Sequence, residues 1–355
     1  MKHKIVMVIS LLILLSACTP NETIKVGGLF ALTGNWAYGG QTEVNFAQIA
    51  IDEINAEGGI NGKQIEFILE DDKCSGKDAI SGANKLIHQD NVKFILGPSC
   101  TPASGPVAPV ANENQVFMMA ATSTIQGFFD DYEFAYRNSP PGKEAAIILA
   151  KNTKIKKIAI LTEQTEFSEA WSNYFIESFN GEIVLNEKFP TENNDFKSIL
   201  MKIPKDTDGF FISTLNPKNA EMIFKQMQEL GLKGKVLGNP TSIDTKIANI
   251  PQNATTIIPF SENKELLEKY INKFGKEPEF HFFLTASMYD SVYMLKDAIE
   301  YCDEDAICVK DYFKTIEWKG EVANWSFDKN GDPILPKENY RLVRIVNGGK
   351  VFSKI

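Results

Sequence analysis

The chain has 355 residues, 37 Lys and Arg against 46 Asp and Glu, a formal net charge of −9 and three histidines. Its 43% hydrophobic and 23% charged content is ordinary for a globular protein, and its length calls for two domains. The acidic balance argues against nucleic acid as a partner. The scarcity of histidine argues against His-based acid–base chemistry and against a His-rich metal site.

The chain begins with Lys2 and Lys4, an apolar run over 5–15, and Leu15-Ser16-Ala17-Cys18. A basic start, a short apolar core and small residues before a cut are the layout of a secretory signal peptide, here 1–17. The run is short for a bilayer span. A cysteine just after the cut resembles the lipobox of bacterial lipoproteins. That resemblance implies lipidation of Cys18, a tether over 18–23 and an address outside the cytoplasm. Loss of Lys2 and Lys4 would take the net charge from −9 to −11. Export permits disulfides among Cys74, Cys100, Cys302 and Cys308, which allow three pairings. Joining near neighbours gives Cys74–Cys100 and Cys302–Cys308, each stabilising by roughly 2–4 kcal/mol. A four-cysteine metal site is the alternative, but neither pair has zinc-ribbon spacing. No metal or other cofactor is expected.

A buried strand is expected at 24–30, and Val44, Ala47, Ile51 and Ile54 then recur at helical spacing up to the glycines at 58, 59 and 62. The expected order continues with strand 64–69, helix 77–89 and strand 92–96. Next come a helix that Thr101 can cap and strand 116–119. The breaker cluster Asn138-Ser139-Pro140-Pro141-Gly142 reads as a crossover. The alternation restarts with helix 144–152, strand 157–161, helix 168–180, strand 182–187, helix 196–203, strand 209–214, helix 217–230 and strand 235–237. Helices near 264–274, 285–300 and 308–316 follow, then β-like pieces at 325–327 and 340–346. Such alternation marks an α/β fold with parallel sheets covered by helices, in two similar halves.

The order of motifs resembles the extracytoplasmic solute-binding proteins of ABC transporters in the leucine/isoleucine/valine-binding class. The matching stretches are Leu32-Thr33-Gly34 with Tyr38-Gly39, the stretch Ile54-Asn55-Ala56-Glu57-Gly58-Gly59-Ile60-Asn61-Gly62, Asp71-Asp72-Lys73-Cys74, Gly97-Pro98-Ser99-Cys100-Thr101 and Ala120-Ala121-Thr122-Ser123. Asn194-Asp195-Phe196, Glu229-Leu230-Gly231-Leu232 and the segment 325–331 continue the match over nearly the whole mature chain. The resemblance implies the type I periplasmic-binding-protein-like fold, two doubly wound lobes joined by three crossovers. Lobe 1 would be 22–138 plus 261–322, and lobe 2 would be 139–260 plus 323–355. The family also pairs its first two cysteines. It implies a monomer that captures a small amino-acid-like or carboxylate solute and delivers it to an ABC transporter permease. A ligand-sensing receptor module using the same cleft is the alternative.

Ligands of open α/β sheets sit beyond the carboxyl ends of strands, where helix N-termini favour a carboxylate. The 99–101 and 120–122 turns stand at two such ends. The resemblance assigns Thr101 and Thr122 to hydroxyl contacts and Ser99 and Ala120 to backbone contacts; plain helix capping is the other reading. It places Tyr38 as an aromatic wall, with Trp36 as a neighbouring alternative. From the second lobe, Phe167 falls where tyrosine is common, and Leu215 or Asn216 falls at another aromatic position. At Gly238-Asn239-Pro240-Thr241 the sequence departs from the family. Amino-acid binders of this class carry an acid about where Pro240 stands, to pair the ligand ammonium. Either Asp244, Glu163, Glu166 or Glu262 substitutes, or the ligand has no α-ammonium, because a buried unpaired ammonium is costly.

No Gly-x-Gly-x-x-Gly, phosphate-loop lysine or metal-spaced His/Glu set occurs, and the chain reads as a binding protein rather than an enzyme. The adjacent pairs Asp71-Asp72 and Asp130-Asp131 read as members of solvated loops.

Overall fold

The computed structural model describes residues 22–125 and 127–355, so the expected signal peptide and Cys18 lie outside the described residues. The first half forms β1 (Thr23–Phe30), α1 (Ala37–Ala56), β2 (Gln64–Asp71), α2 (Gly76–His88), β3 (Phe94–Leu96), α3 (Thr101–Glu113), β4 (Phe117–Ala120) and β5 (Ala135–Arg137). These strands make one sheet in the order β2-β1-β3-β4-β5, parallel throughout. Its central strands are apolar without alternation, as burial on both faces demands; every residue of β3 and β4 is buried.

The second half forms α4 (Gly142–Asn152), β6 (Lys157–Glu163), α5 (Glu166–Ser178), β7 (Glu182–Phe189), α6 (Lys197–Leu200), β8 (Gly209–Ser213), α7 (Pro217–Glu229), β9 (Lys235–Gly238) and β10 (Thr255–Pro259). The order β7-β6-β8-β9-β10 repeats the topology of the first sheet, again in parallel. The tail adds α8 (Lys264–Phe274), α9 (Phe282–Cys302), α10 (Ala306–Phe313), the small pair β11 (Trp318–Lys319) and β12 (Asn324–Trp325), and β13 (Tyr340–Val346) with β14 (Gly349–Lys354). Strand β13 runs antiparallel to β10, and β14 to β13.

The three tail helices return to the first sheet. Leu266 and Tyr270 of α8, Met288 and Val292 of α9, and Val309 and Phe313 of α10 join its core, as do Trp325 and Phe327. The second sheet carries a separate core on each face. The chain therefore passes between the sheets three times: after β5, after β10 and after Phe327.

Buried polar clamps hold these passages. Asp290 of α9 accepts from the N–H groups of Glu321, Val322 and Ala323 at 2.9, 2.9 and 3.2 Å and from Trp325 Nε1 at 2.7 Å. Arg137, fully buried at the end of β5, pairs with Asp332 on the third passage and donates to the Ser123 carbonyl at 3.2 Å. The Arg137 backbone N–H reaches the Gly331 carbonyl at 3.1 Å. Such groups hold a defined geometry because each would be costly if left unpaired.

Both near-neighbour disulfides are present, which removes the metal-site alternative. Four expectations need correction. Cys100, not Thr101, is the N-cap of α3, and its side chain makes no capping bond; Thr101 is already helical. Asp72 is not in a solvated loop. It is fully buried and accepts from Cys74 N at 2.7 Å and Ser99 N at 3.0 Å, and burial lifts its carboxyl to about 6. The helix expected at 196–203 shrinks to the single turn α6, because the Phe196 N–H is taken by Gln226 Oε1 at 2.7 Å and Pro204 stops extension. Strands β5, β10, β11 and β14 are additions to the expected order.

Candidate functional site

The carboxyl ends of the two sheets face each other across a cleft, and Trp36, Tyr38, Glu163, Leu215, Asn216, Thr241 and Asp244 line cavities in it. Strand β1 runs into the turn 31–36, and α1 then carries two glycines, Gly39 and Gly40, in its first turn. At Gly40 a side chain would be impossible: its Cβ would sit 2.3 Å from the Ala31 carbonyl oxygen. At Gly97 the backbone is left-handed, with φ +101°, and a Cβ would meet the Leu29 carbonyl oxygen at 1.9 Å. These two glycines let α1 and the 98–100 turn close onto the end of β1.

Ser99 is the hub of the lobe-one wall. Its Oγ accepts from Ala31 N at 3.1 Å and its N–H donates to Asp72. The turns 98–100 and 120–122 run side by side through Ala121 N to Pro98 O at 3.0 Å and a parallel bridge between Cys100 and Thr122. Thr101 is 1% exposed, and its Oγ1 accepts from Thr124 N at 3.4 Å. Ala120 is fully buried at the end of β4.

Glu43 on α1 is a residue that sequence reasoning missed. It is fully buried, with Oε1 2.7 Å from Thr122 Oγ1, which also contacts the Ser99 carbonyl. A carbonyl only accepts and a hydroxyl has one proton, so Thr122 donates to Ser99 and a protonated Glu43 donates to Thr122. Burial lifts the Glu43 carboxyl to about 8, in agreement with that assignment. Its other oxygen, Oε2, has no hydrogen-bond partner among the described residues. The signal was present: Glu43, Phe46, Ala47 and Ala50 share one buried helical face.

Tyr38 packs edge-on to Trp36 and Phe280, with centroids 5.0 and 5.8 Å away, and Trp36 meets Phe280 at 4.9 Å. Burial, and secondarily Asp244, pushes the Tyr38 hydroxyl well above its ordinary range. Trp36 is the more buried of the pair, at 4% exposure, and its Nε1 has no hydrogen-bond partner among the described residues.

On the opposite wall, Phe167 in the first turn of α5 is buried 6.4 Å from Trp171. Leu215 packs against the cores of both sheets. Asn216 caps α7, its side chain accepting from Lys218 N at 3.1 Å. The Pro240 carbonyl lies 3.2 Å from His281 Nε2. Thr241 Oγ1 is 2.8 Å from Asn239 Oδ1.

The four acids considered as substitutes separate clearly. Glu166 and Glu262 are exposed. Asp244 is buried but holds Lys350 Nζ at 2.7 Å. Against its burial, His281 and Lys350 draw its carboxyl below the ordinary range. His281, 3.6 Å away, is itself lowered to about 4, chiefly by its own burial. Glu163, at the end of β6, is fully buried. Its Oε2 accepts from Leu215 N at 2.6 Å and Asn216 N at 3.0 Å. Its Oε1 has no hydrogen-bond partner among the described residues, although Thr191 and Asn219 lie close enough to offset part of the burial that raises its pKa.

Two cavities open between the walls. One of about 430 Å³ is lined by Gly34, Asn35, Trp36, Cys74 and Pro102 on one side and by Glu163, Thr165, Thr191, Leu215 and Asn216 on the other. A smaller one of about 220 Å³ touches Tyr38, Phe280, Thr241 and Asp244. Ser99, Thr101, Ala120, Thr122, Phe167 and Pro240 are buried and line neither. Larger cavities, of about 510 and 640 Å³, lie at the amino ends of strands and each belongs to one sheet alone. Position, rather than volume, favours the cleft.

This architecture defines a two-lobed binding protein of the periplasmic type I fold. The sequence model of the periplasmic binding protein family matches residues 23–350, and the chain belongs to that family, whose members here are binding proteins rather than enzymes. It is 28% identical to the Leu/Ile/Val-binding protein homolog 2 of Brucella abortus over 334 residues, 88% of either chain. It superposes on the branched-chain amino acid transporter substrate binding protein LivJ of Streptococcus pneumoniae, solved with isoleucine. The TM-score is 0.83 at 25% identity, covering 94% of this chain and 99% of that one. A solute binding protein of an ABC transporter from Rhodopseudomonas palustris, solved with 3,4-dihydroxybenzoic acid, gives a TM-score of 0.80 at 26% identity, covering 94% and 96%.

Proposed function

We infer that this chain is an extracytoplasmic solute-binding protein, lipid-anchored through Cys18. It closes two lobes on a small amino-acid-like or carboxylate solute and presents it to an ABC transporter permease as a monomer. The observation that carries the reading is the 430 Å³ cavity walled by the carboxyl ends of both sheets, with an unpartnered buried polar atom on each wall, Trp36 Nε1 and Glu163 Oε1. Relatives solved with isoleucine and with a dihydroxybenzoate support the size and class of solute. Lobe 1 is assigned to 22–138 plus 261–322 and lobe 2 to 139–260 plus 323–355. On this reading closure of the lobes brings the solute to Thr101, Thr122, Ser99 and Ala120 on lobe 1 and to Phe167, Leu215, Asn216, Pro240 and Thr241 on lobe 2, with Tyr38 at the aromatic wall; of these, Leu215 and Asn216 line the larger cleft cavity and Tyr38 and Thr241 the smaller. Closure is then a population shift, driven by contacts that exist only when both lobes touch the solute. A lipid tether raises the effective concentration of the loaded protein at its membrane partner.

A thermal-shift panel of amino acids and aromatic carboxylates tests this. A solute at a hundred times its Kd stabilises by about 2.7 kcal/mol. A rise in Tm with one chemical class supports the reading; no shift from any member overturns it.

A further inference from the structure

Pro240 leaves the expected acidic position without a charge, and the structure offers a replacement elsewhere in the cleft. Glu163 is fully buried and lines the cavity between the lobes. Two backbone N–H groups occupy Oε2, but nothing among the described residues hydrogen-bonds Oε1. No cation among the described residues neutralises it. Lys73, on the facing wall of the same cavity, is held by Asp78 at 3.0 Å. Asp244 is already matched by Lys350. Glu163 is thus the one of the four acids that is both buried on the cleft and without a counter-ion among the described residues.

A buried carboxylate oxygen with no donor is costly, and a ligand N–H that reaches it is strongly favoured. Trp36 Nε1 supplies the complementary feature from the other lobe, a buried donor with no acceptor, on the same cavity. A solute that spans the cleft therefore has a use for a donor at one end and an acceptor at the other.

We propose that Glu163 is the anionic contact of the cleft and selects solutes that carry an ammonium or amidinium group, while Trp36 Nε1 donates to an acceptor on the same solute. The assignment rests on the solute-binding reading above. It commits that reading to zwitterionic, amino-acid-type solutes over plain carboxylates. Glu163 also holds the loop that carries Leu215 and Asn216, so its substitution must separate charge from loop support. Glu163→Gln does so: the amide oxygen can still accept both backbone N–H bonds, but the charge is gone.

The test is calorimetry on the full-length protein with matched pairs: leucine against 4-methylpentanoate, and phenylalanine against 3-phenylpropanoate. Wild-type protein is expected to bind the ammonium-bearing member of at least one pair tenfold or more tighter than its deaminated partner. E163Q is expected to lose that preference while its unliganded Tm stays level or rises. Equal or tighter binding of the deaminated partner by wild-type protein overturns the assignment and leaves solute capture standing, as does a preference that survives in E163Q. Silence from every member of both pairs and of the wider panel overturns solute capture itself, and this assignment with it. Should E163Q not fold, the matched pairs on wild-type protein decide alone.

Discussion

Replacing Glu43 by glutamine isolates one buried proton. In the folded chain Glu43 is lifted from 4.5 to about 8, chiefly by burial, with the nearness of Thr122 and Ser99 offsetting only part of it. The unfolded chain gives the carboxyl its ordinary value. Below about pH 4.5 both states hold the proton and the acid costs nothing. As pH rises toward 8 the folded state alone keeps the proton, so stability declines across that window and levels off above it. A rise of this size corresponds to roughly 5 kcal/mol by pH 8. The side-chain amide of E43Q can still donate to Thr122 and never ionises. Spread over the unfolding entropy of a chain this long, the difference is a Tm gap of roughly 5–10 °C. Differential scanning fluorimetry of both proteins at pH 5 and pH 9 reads it directly. The curves are expected to lie close at pH 5 and to separate at pH 9, with E43Q the more stable. The other buried acids raised by burial, Glu163, Asp290 and Asp332, are common to both proteins and cancel, and Asp72 adds only a minor charge coupling to Glu43. A gap that is the same at both pH values would refute the protonated Glu43, and with it the assignment of the Thr122 proton to Ser99.

Two further expectations concern stability. Asp290→Ala leaves three backbone N–H groups and the Trp325 indole without an acceptor; it should cost about 3–5 kcal/mol in urea unfolding, and an effect under about 1 kcal/mol would deny it the clamping role. Removing the Cys74–Cys100 bridge opens a loop of sequence separation 26, against 6 for Cys302–Cys308. By loop entropy the double serine variants should lose roughly 3.5 and 2.4 kcal/mol respectively; a larger loss from the shorter loop would show that strain or packing outweighs chain entropy.

Much of the fold was legible because parallel strands buried on both faces read as apolar runs and the helices between them keep a regular spacing. Helix 264–274 and strand 340–346 fall within the bounds expected of them. Four strands escaped notice, for different reasons; β11 has only two residues. Strand β5 has only three residues, and β10 carries two threonines and ends on Pro259. Strand β14 was readable in principle, since Asn347-Gly348 with φ of 50° and 75° is a strong hairpin signal. The turns at the ends of β3 and β4 were legible, but the pairings behind them were not. The turns 99–101 and 120–122 are local sequence, but the pairing of Thr122 with Glu43 joins residues 79 positions apart. The pairing of Asp244 with Lys350 spans 106 positions. Charges neutralised over such distances cannot be told from free ones along the chain, so the four candidate acids stayed equivalent until the fold separated them.

The proposed function requires that one solute be gripped from both lobes at once. Hydrogen exchange of the full-length protein, with and without the tightest-binding solute of the panel, tests it most directly. Protection is expected to rise together in the Gly34–Trp36 turn of the first lobe and around Glu163 and Leu215–Asn216 of the second. Protection confined to one lobe, or appearing at the cavities on the amino ends of the strands, would contradict the account.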